Sequence, residues 1–95
     1  RLDELARKYG FKYAKVFVKN QRTVWGSCSY RNNINLNLNL VALDSEFIDY
    51  VLLHELTHTV HKNHQKAFYD LLTKNMPNAL DIQKRLKKIK ISALK

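Results

Sequence analysis

Residues 33–40 alternate polar and apolar without a slip, Asn-Ile-Asn-Leu-Asn-Leu-Asn-Leu, and a period of two marks a strand with one buried face. The pattern predicts a strand over the whole segment, with Ile and Leu on the core and the asparagines toward solvent or a second layer. Upstream, Leu2, Leu5 and Ala6 recur at helical spacing as far as Tyr9, where Gly10 is free to take the left-handed conformation that closes a helix. Residues 13–18 are β-branched and aromatic and read as a first strand. Residues 23–25 read as a second that runs into Gly26, Ser27, Cys28 and Ser29, with turns at 20–22 and 30–32.

Downstream, Asp44 or Ser45 is placed to cap a helix, and Glu46 adds a favourable charge to its first turn. That helix is expected to run to about Val60 or His61, with Phe47, Ile48, Val51, Leu52, Leu56 and Thr59 on its buried side. Ala67, Phe68, Leu71 and Leu72 mark another helix, which Pro77 interrupts. A last one begins near Asn78 and carries Leu80, Ile82, Leu86, Ile89 and Ile91. The order α-β-β-β-α-α-α is that of an α+β domain, a small antiparallel or mixed three-stranded sheet packed against helices.

A chain of 95 residues supports one domain, residues 1–95, with a thin core. Because it begins at Arg1 without Met, it reads as a piece of a longer protein. Its apolar runs are far shorter than the roughly 20 residues of a membrane-spanning helix, so no membrane partner is expected. One cysteine, Cys28, permits no internal disulfide, which suits a reducing compartment, and the cytoplasm is the expected location. Seventeen Lys and Arg against eight Asp and Glu leave a net charge of +9, enough to raise nucleic acid as a partner without requiring it. Much of that charge lies in residues 84–90, where interleaved apolar positions predict the solvated face of an amphipathic helix.

The chemistry is concentrated in His54-Glu55-Leu56-Thr57-His58. Two histidines four apart project from one face of a helix and can grip one zinc ion through ring nitrogens. Glu55 can reach the metal's water rather than the metal, and take up its proton as general base. A third ligand is needed. His61 lies about 10 Å along the helix axis from His54 and overshoots, whereas a chain that turns back after His61 brings His64 to the metal from another side. His54, His58 and His64 are therefore the expected ligands of one Zn2+, with Glu55 catalytic. Cys28 has no adjacent His and reads as a small buried hydrophobe.

Several motifs resemble one family in order and spacing: residues 22–29, Arg-Thr-Val-Trp-Gly-Ser-Cys-Ser; residues 34–37, Ile-Asn-Leu-Asn; Asp49-Tyr50-Val51; the His54–His58 run; Asn63-His64; and Phe68. They are similar to the YgjP-like metallopeptidase domain, a relative of the SprT-like zinc proteases. The resemblance implies a zincin-like fold, zinc on His54, His58 and His64, Glu55 as catalytic carboxylate, and additional N-terminal sequence, so that residues 1–95 are expected to be the C-terminal catalytic part of a longer protein. Two positions depart from the family pattern: Asn32 replaces a turn glycine, which Asn's tolerance of left-handed geometry makes mild, and Gln65 replaces a better helix cap. The resemblance also offers Trp25, Gly26 and Ser27 a job, as an edge strand above the metal on which an extended peptide substrate pairs; the other reading places Trp25 in the core and makes Gly26-Ser27 a bend. The expected activity is zinc-dependent hydrolysis of peptide bonds in peptides or proteins by a metal-activated water. Tyr30, Tyr50, Tyr69 and Arg22 stand open as oxyanion stabilisers. A protease acting on DNA-bound proteins and a non-catalytic zinc-binding interaction module are the alternatives.

Overall fold

The structure, a computed structural model, describes residues 1–90. Helix α1 (Leu2–Tyr9) closes on Gly10, whose φ of 76° lets its N–H reach back to the Ala6 carbonyl. Strands β1 (Val16–Lys19), β2 (Gly26–Cys28) and β3 (Ile34–Asn37) follow. The sheet order is β1-β3-β2. β3 pairs parallel with β1 and antiparallel with β2, so the sheet is mixed and β2 lies at one edge. The turn before β3 uses Asn32 at φ 65°, a left-handed position that Asn accepts where most residues are strained.

The alternating segment does not continue as a strand to Leu40. Asn37 ends it, because its side-chain oxygen accepts from the Asn39 N–H at 2.9 Å and starts a 3-10 turn over Leu38–Ala42. Local side-chain bonding of this kind competes with the sheet ladder. Nor does Asn37 face solvent: it is 2% exposed, and its amide donates to the carbonyls of Gln21 at 3.0 Å and Val24 at 2.7 Å. Those bonds hold residues 21–25 as a loop, so β2 starts at Gly26 rather than Thr23. β1 likewise starts at Val16, three residues later than the pattern predicts.

Helix α2 (Ser45–His58) packs against β2 and α1. Helices α3 (Lys66–Asn75) and α4 (Ala79–Lys87) cover its remaining sides. Enclosure on all sides explains why Tyr50, Leu53 and Thr57 are buried beside the expected Phe47, Val51, Leu52 and Leu56, while Ile48 and Thr59 are only half-buried. Buried positions spread round the helix, rather than along one stripe, mark it as the central one. It ends at His58, about two residues early, and Val60 and His61 both donate to the Thr57 carbonyl in a closing turn. Asp44 occupies the N-cap position without a side-chain cap bond, as does Gln65 before α3.

On α4, Ile82 and Leu86 are buried but Leu80 is exposed; the helix ends at Lys87, and Ile89, expected on it, packs on the core from the turn that follows. Arg85 ties α4 to the start of α2 through two bonds to Glu46, at 2.7 and 3.1 Å. Ile91 lies outside the described residues. Among the described residues, no helix is long and apolar enough to cross a membrane.

Candidate metal centre

His54 and His58 leave the same face of α2 one turn apart, as their spacing dictates. His64 arrives from the loop between α2 and α3. The three offer ligand atoms that all lie within 4.8 Å of one another, with His54 half-buried, His58 buried and His64 exposed. The Nε2 atoms of His58 and His64 are 2.9 Å apart. His61 is not part of this group; its backbone carbonyl instead accepts from His58 Nδ1–H at 3.0 Å.

That last bond fixes chemistry as well as position. A carbonyl oxygen only accepts, so His58 Nδ1 carries the proton and its Nε2 presents a lone pair. The same logic applies to His54, whose Nδ1 lies 3.2 Å from Glu55 Oε2: a carboxylate accepts, leaving Nε2 as the open nitrogen. Both helical histidines thus keep Nε2 open as a ligand atom, and the donor set fits a metal ion. Burial pushes the pKa of His58 below the ordinary imidazole value; at the more exposed His64, partial desolvation of the ring and the neighbouring His54 act in the same direction, which favours the neutral, ligating form.

Phe68 of α3 backs the cluster. Its ring, 0% exposed, lies 5.0 Å from His54, 4.4 Å from His58 and 5.0 Å from His64, centroid to centroid. The loop that carries His64 is pinned by Lys62, whose ammonium donates to the Ser29 carbonyl at 3.1 Å and to Asn32 Oδ1. Sequence reasoning missed this link, because two short loops about 30 positions apart carry no joint pattern.

Glu55 is 4% exposed and lies against Gly26 of β2, where a Cβ would stand 3.2 Å from Glu55 Cγ. Beside it opens a cavity of about 560 Å³, lined by His54, Glu55, Trp25 and Gly26 among others. Ser27 is exposed on the edge strand; its hydroxyl accepts from the Asn35 amide at 3.3 Å, and it is not among the cavity's lining residues. Of the oxyanion candidates, Tyr50 and Arg22 line the cavity. Tyr69 stacks near His64 at 6.1 Å, and Tyr30 is 86% exposed beside Lys62. The Cys28 thiol is raised by burial, which keeps it protonated and a poor nucleophile.

A mixed α+β domain whose central helix carries two of three clustered histidines, with a buried carboxylate between them in sequence, has the zincin-like architecture. The profile of the YgjP-like metallopeptidase domain matches residues 1–89, and the chain belongs to that family. Among solved structures, the metallopeptidase zymogen abylysin of Pyrococcus abyssi aligns with a TM-score of 0.79 at 24% identity, covering 92% of this chain and 89% of its own. The metallopeptidase zymogen jannalysin of Methanocaldococcus jannaschii aligns at 0.76 with 22% identity, covering 92% and 90%. These two likenesses bear on the fold. No curated protein matches the chain.

Proposed function

We propose that the protein is a zinc-dependent peptidase in which His54, His58 and His64 hold the metal and Glu55 is the general base. The observation that carries this reading is the convergence of three histidine ligand atoms within 4.8 Å beside a carboxylate that is 4% exposed. Three protein ligands leave the fourth position that a catalytic zinc site keeps open. When bound, zinc would supply an acidified water and a Lewis acid for the scissile carbonyl.

The protein's own groups would do the rest. Glu55, fixed between His54 and Gly26, takes a proton from the attacking water and returns it to the leaving amine. An extended substrate would pair along β2, whose outer side has no backbone partner among the described residues, with Trp25, Gly26 and Ser27 as its contacts. Tyr50, on the cavity wall, would face the developing oxyanion. The free thiol of Cys28 suits work in the cytoplasm, with residues 1–95 as the catalytic domain.

Metal analysis of the purified protein beside His64→Ala tests the ligand set. One zinc per chain is expected in the parent, and affinity lowered by more than about 100-fold in the variant, beyond what loss of an outer-shell partner does. Equal affinity in the two proteins would remove His64 from the site.

A further inference from the structure

The cavity beside Glu55 has a chemical asymmetry. Trp25, Val51 and Leu86 give it apolar walls, and Arg22, Lys87 and Lys90 stand at its rim. Glu55 is the one acidic side chain among its lining residues. The three cations come from two distant parts of the chain, the loop before β2 and the end of α4. Among the described residues none of the three is ion-paired. Arg85, on another side of α4, is by contrast bonded to Glu46 and Asp81. Three unpaired cations and a single carboxylate thus line the cavity beside the site.

A cavity of about 560 Å³ lies within the range of built ligand sites. Low-dielectric walls beneath charge of one sign focus the field into the cleft, and a net charge of +9 extends that attraction outward. An acidic ligand gains from both; a basic one is repelled at close range.

We propose that this cavity is the substrate's specificity pocket, and that it selects acidic peptides. A bulky apolar side chain next to the cleaved bond fills the space between Trp25, Val51 and Leu86, while carboxylates on flanking residues meet Arg22, Lys87 and Lys90. The proposal rests on the peptidase reading of His54 and Glu55. It adds a substrate class: acidic, partly hydrophobic segments of peptides or unfolded proteins.

Trp25 is the single tryptophan of the chain and lines the cavity, so its fluorescence reports occupancy without turnover. Three peptides that share a central Phe and differ only in flanking Glu, Gln or Lys are titrated into the zinc-loaded Glu55→Gln protein, and their kcat/KM is measured with the parent enzyme. Two or three exposed ion pairs of ordinary strength sum to roughly tenfold, so the Glu peptide is expected to bind about that much more tightly than the Lys peptide. The preference should shrink at high salt, which screens exposed charges. It should also move toward unity in the combined Arg22→Gln, Lys87→Gln, Lys90→Gln protein, whose three changes are at exposed positions. Equal binding of all three peptides, or a preference that survives the triple change, overturns the proposal. Cleavage without charge preference sinks the pocket and leaves the peptidase reading standing. Charge-selective quenching of Trp25 without cleavage does the reverse, and neither binding nor cleavage sinks both.

Discussion

Gly26 and Glu55 are in mutual van der Waals contact across the β2–α2 interface: a Cβ at Gly26 would stand 3.2 Å from Glu55 Cγ and 3.3 Å from Glu55 Oε2. The same atom would meet the Asn35 carbonyl at 3.2 Å, so the added methyl is caught between backbone and carboxylate. The carboxylate is the side that gives. Gly26→Ala should therefore leave the metal content unchanged and lower kcat by about 10- to 100-fold, the effect of displacing a catalytic group by a fraction of an ångström to one ångström. Steady-state kinetics with parallel metal analysis check this; a variant with undiminished kcat would mean that Glu55 is not held by Gly26.

Asn37 separates a reading of the sequence from a reading of the structure. On the alternating pattern, Asn37→Leu changes an exposed face and is nearly neutral. In the structure it removes the donor to the Gln21 and Val24 carbonyls and the cap on Asn39. Unsatisfied buried polar groups cost about 1–3 kcal/mol each, so urea unfolding should register a loss of at least about 2 kcal/mol. A change below about 0.5 kcal/mol, the usual size of a surface substitution, would contradict the burial of Asn37.

The way in which the structure departs from its sequence pattern follows from the same residue. Helix α2 and the placement of His54, Glu55 and His58 were legible because helical period and residue identity are local properties. α1 was legible too, down to its Gly10 cap. The end of β3 was not, because Asn37 looks like Asn33, Asn35 and Asn39 until the Gln21–Val24 carbonyls are brought beside it by the fold. The parallel pairing of Val16–Lys19 with Ile34–Asn37 is a long-range choice with no signal inside either segment. His64 could be expected from the need for a third ligand, but what holds it, Lys62 on Ser29 and Asn32, is tertiary.

Phe68 is the floor beneath all three histidines. Phe68→Ala should cost about 3–5 kcal/mol by opening a cavity in the core. It should also weaken metal binding, since the rings of His54, His58 and His64 lose their common support. Thermal melts with and without added zinc separate the two effects. An unchanged Tm would show that α3 does not depend on this contact.

Acid should destabilise the metal-free protein. Desolvation lowers the pKa of His58 and His64 in the fold, so as the pH falls the unfolded chain takes up these protons first. The stability they contribute is complete above the unfolded imidazole value, about 6.5. It is lost as the pH falls from there toward the lower folded values. Protons also compete with metal for the same nitrogens, so metal affinity falls in the same direction. Tm measured from about pH 7.5 down to pH 5.5 should decline; a Tm that rises over that interval would mean the imidazoles are stabilised as cations.

Glu55 as the base of a zinc peptidase is tested by cleavage of an unfolded protein substrate with zinc-loaded parent and Glu55→Gln proteins. The variant is expected to keep one zinc per chain and to lose about 100- to 10,000-fold in kcat/KM, the contribution of a general base. Cleavage by Glu55→Gln at the parent's rate, with zinc bound in both, would contradict that role.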